Sequence, residues 1–332
     1  HEVRRRAGSR RQGFRPVRYE EKAGGNTMKQ KQKKLWLDIR KNAGLYALVA
    51  IPIIWYIVFK YIPMYGLQIA FRRFNPTLGI TKSPWVGLTY FKQFFQSYYF
   101  KDVLVNTLSL SVFTMLVGFP VPIFLALLIN EIKSTKLKKA VQNITYMPNF
   151  LSIVVIVSML SLFSNKEYGL FNQITAFFGA KPVDFMSRPS AFQPLYVFSN
   201  VWQNMGFNAI IYIAALSAID PQLYEAASID GATRMQKIIH ISIPCIMGTI
   251  LILFIMRIGN LMSVGFEKVL LMQRDVTISS SEVISTFIYK NGIQKGQFSY
   301  STAVGMFNSI INFALLAGAN FISKKTTKTS LW

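Results

Sequence analysis

The sequence predicts an all-α integral membrane protein with six transmembrane helices and both termini in the cytoplasm. Of its 332 residues, 52% are hydrophobic, which is too apolar for a soluble globule of this size. Several apolar stretches approach or exceed the roughly 20 residues that are needed to cross a bilayer. Basic residues concentrate in alternate loops, a distribution that is typical of membrane orientation.

Composition also limits the chemistry of this chain. The single cysteine, Cys245, rules out an intrachain disulfide and a thiolate metal cluster, and two histidines make a His-based site improbable. We therefore predict no catalytic residues and no metal site. No GxxxxGK[ST] phosphate loop occurs, so any chemistry of ATP and Mg belongs to another chain. The net charge of +23 comes from the N-terminal tail and short loops, which favours membrane orientation over nucleic-acid binding.

The N-terminal tail differs from the rest of the chain. Residues 1–42 carry 14 Lys/Arg against four acids, and the composition of residues 1–34 predicts a basic, disordered tail before a transmembrane domain at 35–332. The tail changes from Arg/Gly-rich to Lys-rich at Met28. This change suggests that Met28 is a natural start and that residues 1–27 are a leader or translated upstream sequence.

Hydropathy places the six spans at about 43–62, 103–132, 147–163, 194–218, 244–264 and 301–322. The tail, the loop at 133–139, the segment after the fourth span and the C-terminus together hold 23 of the 37 Lys/Arg. The three opposite loops are longer and hold 12. This positive-inside pattern predicts cytoplasmic termini.

An aromatic repeat follows the first span. Its members recur at helical spacing: Phe91, Phe94, Phe95, Tyr98 and Tyr99. The spacing predicts an amphipathic helix that lies in the outer membrane interface. A platform on which sugars stack is the alternative.

The most polar internal segment lies between the fourth and fifth spans and reads DPQLYEAASIDGATRMQKIIHISIP, from Asp220 to Pro244. Asp220 followed by Pro221 predicts a helix start. Gly231 would allow a tight bend, and Asp230 could cap a second short helix. We therefore predict two short helices at an elbow; an ordinary amphipathic loop on the membrane surface is the alternative.

The spacing in this segment resembles a known motif. Glu225-Ala226-Ala227, then Asp230-Gly231-Ala232, then eight residues and Ile241-Ser242-Ile243-Pro244 resemble the EAA loop of binding-protein-dependent ATP-binding cassette importers. In that family the permease docks this cytoplasmic loop into a cleft of its ATPase partner. The resemblance implies a set of ATPase-coupling residues: Glu225, Ala226, Ala227, Asp230, Gly231, Ala232 and Pro244. Ile243 departs mildly from the Leu that is commoner there.

Three further stretches resemble the carbohydrate subgroup of these permeases, of the kind related to the alginate-importer permease subunit. They are PMYGLQIAF, GFEKVLLM and TFIYKNGIQKGQFSYSTAVGMFNS. The resemblance implies a multi-pass subunit of a prokaryotic cell (inner) membrane that imports an oligo- or polysaccharide. It also implies a second, different permease chain, an ATPase dimer that binds ATP and Mg, and an extracellular or periplasmic solute-binding protein.

Polar residues inside spans are candidates for the substrate pathway, because burying them in lipid costs energy. The candidates are Trp202, Gln203, Asn204, Asn208, Arg257, Asn260 and Asn308. Trp202 with Gln203 and Asn204 would join an aromatic face to amide groups, as sugar sites do. The asparagines could instead form interhelical hydrogen bonds. Arg257 either pairs internally or faces a water-filled path.

Two other functions compete with saccharide import. One is a permease of the same superfamily that moves amino acids or other small solutes. The other is a secondary transporter or channel that works without ATP, which would call for inverted repeats and intramembrane acids. No Asp or Glu lies well inside a predicted span.

Overall fold

The computed structural model describes Leu37 and residues 40–327. The predictions for residues 1–34, including the disordered tail and the start at Met28, lie outside the described residues. Packing divides the chain into two compact units, with the boundary between Met64 and Tyr65. The described residues form helices and turns, and their β structure is an isolated bridge between Arg72 and Trp85.

The first unit contains the first predicted span, and the structure confirms that it is helical. Helix α1 (Ala43–Tyr56) continues through a wide π-helical turn (Ile57–Tyr61) into the short α2 (Ile62–Met64). The π turn directly precedes the Ile62-Pro63 step. A proline cannot donate the usual i→i−4 hydrogen bond, and a wider turn relieves the clash of its ring with the preceding turn.

The second unit begins with short elements that precede the second span. They are a 3₁₀ turn at Tyr65–Phe71, α3 at Gly79–Lys82 and α4 at Thr89–Phe95. Helix α4 ends at Phe95, so the prediction of one amphipathic helix through Tyr99 is wrong. Phe94 is buried and packs edge-on against Phe100, whereas Tyr98 is 85% exposed. The aromatic repeat is split because Phe94 belongs to the core.

The second to fourth spans contribute six helices. They are α5 (Phe100–Gly118), α6 (Pro120–Asn130), α7 (Thr135–Tyr146), α8 (Ile153–Phe163), α9 (Leu170–Phe177) and α10 (Pro189–Ser217). The second span is confirmed as an apolar helical stretch of 31 residues over Phe100–Asn130. The fourth is confirmed as helical, and it begins at Pro189 because a proline fits the first helical turn.

The third predicted span is not one straight helix. The stretch Thr135–Phe150 and α8 are bent by 97° at a short break. Ser152 starts α8 by accepting a hydrogen bond from the backbone N–H of Val155 at 3.3 Å. The predicted third span, which begins at Met147, therefore combines the end of the stretch Thr135–Phe150 with α8. At 1.5 Å per residue, the 11 residues of α8 cover only about 17 Å.

Seven helices complete the described part of the chain. They are α11 (Pro221–Ile229), α12 (Arg234–Lys237), α13 (Ile243–Gly259), α14 (Phe266–Met272), α15 (Ile278–Ser281), α16 (Ile284–Tyr289) and α17 (Phe298–Thr327). The sixth span is confirmed as helical within α17. The fifth span begins earlier than predicted and ends at Gly259 rather than Val264.

Helix α10 is central to the packing of the second unit. Its residues Tyr196, Val197 and Val201 belong to a core that α5, α8 and α14 also supply. Its C-terminal half packs with α6 and α13 around Ile246. At Gly206 the backbone of α10 approaches the Thr145 carbonyl of α7 so closely that a Cβ would overlap it. These contacts make α10 the element that positions the site.

Within the described residues, four helical stretches are long and apolar enough to cross a membrane, or five with the bent pair. They are Ala43–Phe71, Phe100–Asn130, Arg234–Gly259 and Phe298–Lys325. Helix α10 is long enough but too polar to be among them. The architecture is that of an all-helical, multi-pass membrane protein.

Candidate coupling elbow and translocation cavity

The elbow, Asp220–Pro244, starts as the sequence predicts. The Asp220 carboxylate accepts a hydrogen bond from the backbone N–H of Gln222 at 2.9 Å, and Pro221 occupies the first position of α11. This satisfies a backbone donor that a helix start leaves without an intrahelical partner. The helix start at Asp220 is confirmed.

Gly231 forms the predicted bend at the end of α11. Its φ is +75°, a left-handed conformation that residues with a Cβ rarely adopt. The N–H of Ala232 donates to the Ala227 carbonyl at 2.9 Å, and the N–H of Gly231 donates to the Ser228 carbonyl at 3.2 Å. This pair of bonds is a Schellman C-cap, which ends a helix on a glycine.

The second half of the elbow differs from the prediction in two ways. Asp230 does not cap the second helix; Thr233 caps it in a capping box with Gln236, because the glycine turn delays the helix start. Nor is the second helix separate from the fifth span. It continues through a π-helical turn, Ile238–Ser242, that accommodates Pro244.

Two side-chain contacts close the elbow. The hydroxyls of Tyr224 and Ser242 lie 2.9 Å apart, and Lys237 Nζ donates to Ser228 Oγ at 2.6 Å. Both contacts tie α11 to the helix that leads into the fifth span. The sequence analysis missed them, because they depend on how tightly the chain reverses at Gly231. These contacts hold the two arms of the elbow together.

One surface of the elbow is exposed. Glu225 and Ala226 are exposed, and Ile229 is 88% exposed. The structure records no salt bridge or hydrogen bond for the Glu225 carboxylate within residues 40–327. Beside the bend, a shallow cavity of about 300 Å³ is lined by Ala227, Asp230, Gly231, Ala232, Gln236, Lys237, His240 and Ile241. An exposed carboxylate beside small and apolar residues suits a protein contact.

Four of the pathway candidates meet around two adjoining polar cavities of about 190 and 230 Å³. Asn200 and Arg257 line both, Asn204 and Asn208 line the second, and Asn260 lines the first. The three asparagines of α10 share a face because they are four residues apart. We call the two spaces together the polar cavity.

Hydrogen bonds hold the amides of the polar cavity in place. Asn204 Nδ2 donates to the Asn200 carbonyl at 2.8 Å, and Asn149 Nδ2 donates to Asn204 Oδ1 at 3.1 Å. Asn260 Nδ2 donates to the Met256 carbonyl at 3.1 Å. The bond from Asn149 to Asn204 joins two elements, as the alternative of interhelical hydrogen bonds predicts, whereas the other two lie within one helix. The same asparagines also line an open space.

Arg257 is the charged residue of the polar cavity, which includes no Asp or Glu among its lining residues. Its side chain is exposed, and no acid of the described residues forms a salt bridge with it. Internal pairing and a water-filled path both stay predictions for Arg257, whose side chain lines the polar cavity. A guanidinium there can bind an anionic group with two parallel N–H donors.

The structure does not bring Trp202 together with Asn204. Trp202 lines a separate, mainly apolar cavity of about 770 Å³ with Phe163 and Phe198. Gln203 is buried and donates to the Leu151 carbonyl at 3.3 Å. Neighbouring helical residues point in different directions, about 100° apart, so three in a row cannot share one cavity wall. A saccharide contact by Trp202 or Gln203 stays a prediction.

Asn308, the last candidate, does not line the polar cavity. It is partly buried, and its Oδ1 has no hydrogen-bond partner in the described part of the chain. Asn312, one turn later, accepts from the Met262 N–H at 2.9 Å and donates to Ser263 Oγ at 3.0 Å. Asn312 therefore ties α17 to the end of the fifth span.

Lys268 is a buried cation that sequence reasoning did not single out. It lies in α14, between the fifth and sixth predicted spans, and is 3% exposed. Its Nζ lies 5.5 Å from the ring centre of Tyr196 and has no hydrogen-bond partner among the described residues. Burial lowers the pKa of Lys268 to about 8, because the interior penalises its charged form.

Comparison with known proteins extends these observations. Residues 100–328 match the family described as binding-protein-dependent transport system inner membrane component. The polygalacturonan/rhamnogalacturonan transport system permease protein YteP of Bacillus subtilis (strain 168) is 40% identical over 297 residues, which cover 90% of this chain and 92% of YteP.

Solved structures agree. A chain in the crystal structure of a bacterial ABC transporter involved in the import of the acidic polysaccharide alginate is 41% identical, with a TM-score of 0.82 over 89% of this chain and 99% of that one. In the alginate transporter complexed with an alginate pentasaccharide-bound periplasmic protein, a chain is 40% identical, with a TM-score of 0.82 over 90% of this chain and 100% of that one.

The sequence motif, the helical architecture and the relatives point the same way. The prediction of a transport permease, made from the residues of the elbow, is confirmed by the family match and by relatives that cover most of both chains. The chain belongs to the family of inner-membrane components of binding-protein-dependent transport systems.

Proposed function

We propose that this chain is one of two permease subunits of an ATP-driven importer of acidic oligosaccharides. The observation that carries the proposal is the polar cavity, which joins a guanidinium to four amide side chains without an acid. Amides suit sugar hydroxyls because they both donate and accept hydrogen bonds. Arg257 suits a uronate carboxylate, which it can bind bidentately.

Relatives support the acidic substrate class. One of the transporters above imports alginate, an acidic polysaccharide, and YteP is a permease for polygalacturonan/rhamnogalacturonan. Neither relative is an amino-acid permease. We therefore favour a saccharide over the amino acids or small solutes of the alternative reading.

The proposed topology has six spans in a prokaryotic inner membrane, with both termini and the elbow in the cytoplasm. Four long apolar stretches, the bent pair and α10 together make six. At 1.5 Å per residue, the 29 residues of α10 measure about 43 Å, more than the roughly 30 Å of a hydrocarbon core. Lys/Arg counts on alternate loops support the orientation.

In this proposal the elbow couples the chain to a separate ATPase dimer that holds ATP and Mg. Exposed Glu225 contacts the ATPase, and the small side chains of Ala226 and Ala227 permit close docking. ATPase closure then moves the elbow, and with it α10 and α13, between two states of the pathway. A solute-binding protein delivers the saccharide from outside, and a second, different permease chain completes the pathway.

Uptake by the assembled transporter tests the substrate class. We would compare an oligogalacturonate with a neutral oligosaccharide of the same length in cells or proteoliposomes. Arg257→Gln should lower kcat/KM for the acidic substrate at least about tenfold more than for the neutral one, because it removes a charged hydrogen-bond donor. Arg257→Lys should retain part of the preference, since it keeps the charge but loses the fork.

Arg274→Gln is the matched control, because Arg274 is exposed and lies outside the polar cavity. It should leave the preference unchanged. An equal loss for both substrates in Arg257→Gln would show that Arg257 acts through packing. A wild-type transporter that takes up only neutral saccharides would overturn the acidic class itself.

A further inference from the structure

A further large cavity of the second unit is not part of the polar cavity. It has a volume of about 1130 Å³ and lies between the segment 89–103 and the segment 278–300. None of its lining residues lines the polar cavity. We call it the Tyr98 cleft. Its volume exceeds the roughly 300–1,000 Å³ of sites for drug-sized ligands, so it can hold several sugar units.

The floor of the Tyr98 cleft carries a buried acceptor without a partner. Glu282 is 8% exposed, and its Oε2 pairs with Lys290 Nζ at 2.5 Å. Its other oxygen, Oε1, is buried and has no hydrogen-bond partner in the described residues. A buried acceptor that stays unsatisfied costs free energy. A rotation of the carboxylate toward the cleft, whose lining includes Glu282, would let a ligand hydroxyl donate to Oε1 and remove this cost.

The walls of the Tyr98 cleft offer stacking surfaces. Tyr98 is 85% exposed and Tyr99 is 58% exposed, and both line the cleft. Exposed aromatic rings leave apolar surface in contact with water, and a ligand that covers them removes this cost. Tyrosine offers an apolar face together with a polar tip, which suits the two faces of a sugar ring.

The charge balance of the cleft favours an anionic ligand. Lys92 and Lys295 line it in addition to the Lys290–Glu282 pair. The one remaining acid in its lining is Asp102, so the cleft keeps a surplus of positive charge. Lys295 Nζ donates to Asn291 Oδ1 at 3.3 Å, which holds the ammonium against the cleft.

We propose that the Tyr98 cleft binds a stretch of an acidic oligosaccharide on the outer side, before that chain enters the polar cavity. Sugar hydroxyls donate to Glu282 Oε1, the tyrosines cover sugar faces, and Lys92 and Lys295 bind uronate carboxylates. The inference rests on the proposed function and topology. It adds a second binding region. A short substrate that occupies the polar cavity would not reach this region.

Length dependence of uptake tests the proposal in the assembled transporter. Tyr98→Ala combined with Lys92→Ala should raise KM for a hexagalacturonate about fivefold to tenfold, the size expected for the loss of a stacking and a charged contact. KM for a digalacturonate should stay within about twofold. Tyr168→Ala combined with Lys101→Ala is the matched control, because both residues are exposed and lie outside the cleft.

The outcomes separate this proposal from the proposed function. Equal losses for both lengths would overturn the Tyr98 cleft as a saccharide site and would indicate docking of the binding protein there. A transporter that loses its acid preference in Arg257→Gln but shows no length effect in the cleft variant would keep the proposed function and reject the cleft.

Direct occupancy gives a second readout that does not depend on transport. After Cys245→Ser, a Tyr98→Cys variant can be labelled with a membrane-impermeant maleimide in the absence of the binding protein. Hexagalacturonate should slow labelling at least about threefold, whereas galacturonic acid at equal carboxylate concentration should not. A Tyr168→Cys variant should label at the same rate with and without the hexamer. Unchanged labelling at position 98 would overturn the proposal.

Discussion

Two basic residues of this permease, Arg257 and Lys268, differ in how far their charges are buried. Arg257 lies in α13 and Lys268 in the next helix, α14. Arg257 lines an open polar cavity, whereas Lys268 is buried over the ring of Tyr196. A cation–π contact offsets part of the cost of burying an ammonium. A change at Lys268 should therefore alter mainly the stability of the protein, whereas the proposed function predicts that a change at Arg257 alters substrate preference.

The lowered pKa of Lys268 predicts how stability changes with pH. In the unfolded chain a lysine titrates near 10.4, whereas in the folded protein the pKa is about 8. Between these values the unfolded state binds more protons, so stability rises with pH from about 8 to 10. Lys268→Met should stabilise the folded protein at pH 7 by about 1–3 kcal/mol, which should appear as a higher thermal midpoint of the purified transporter.

The pH dependence is the informative part of this measurement. The gap between Lys268→Met and wild type should shrink as pH approaches 10, because the wild-type lysine is neutral there. Lys101→Met, at an exposed position, should follow the wild type at every pH. A lower midpoint for Lys268→Met at pH 7 would contradict the account.

Residue-scale prediction from sequence worked where the physics is local. The carboxylate of Asp220 and the left-handed Gly231 are set by their own turns, and both were predicted. The grouping of Trp202 with Asn204 ignored the 100° rotation between successive helical residues. The Glu282–Lys290 pair that lines the cleft could not be predicted, because it depends on how the chain folds between these two residues.

At the scale of elements, the elbow is a helix, a glycine turn and a helix that continues into the membrane. Tyr224–Ser242 and Ser228–Lys237 tie its two arms together. A force on α11 therefore reaches α13 without passing through a flexible joint. The continuity of α12 with α13 could not be read from the sequence, because Pro244 alone suggested a break.

Gly231→Val should uncouple ATP hydrolysis from uptake. A Cβ at this glycine meets open space, so the effect is purely that of the left-handed backbone, which costs a residue with a side chain about 1–2 kcal/mol. The elbow would then populate its bent form several-fold less, and uptake per transporter should fall about fivefold or more. Membrane insertion should persist, since the spans are unchanged.

Gly231→Asn is the matched variant, because asparagine tolerates the left-handed region better than other residues. It should retain most of the uptake. The measurement is uptake divided by the amount of ATPase that copurifies. Normal uptake in Gly231→Val, with the ATPase fully assembled, would mean that the elbow does not transmit the motion.

At the scale of the whole molecule, the Lys/Arg counts on alternate loops and the lengths of the helices support the proposed topology of six spans. The sequence analysis identified the long apolar helical stretches, because such stretches are a strong signal. It missed the 97° bend before α8, since a bent pair and a straight span have the same composition. It also extended the fifth span to Val264, whereas the helix stops at Gly259.

Cysteine labelling tests the topology in intact cells. In a Cys245→Ser background, single cysteines at Lys136, Gln222 and Gln294 occupy exposed positions. An impermeant reagent should label only the variant at 294, and the variants at 136 and 222 should react only after permeabilisation. Labelling at 222 from outside would remove both the proposed orientation and the contact with a cytoplasmic ATPase.

The polarity of α10 has a consequence for how the chain is made. A helix that carries Asn200, Gln203, Asn204 and Asn208 partitions poorly into lipid by itself, although its length suffices. Its partners α5 and α6 precede it in the chain, and α13 follows. The nascent chain must therefore hold α10 beside the insertion machinery, or against α5 and α6, until α13 emerges. The asparagines of α10 that line the polar cavity thus also influence the order in which the helices enter the membrane.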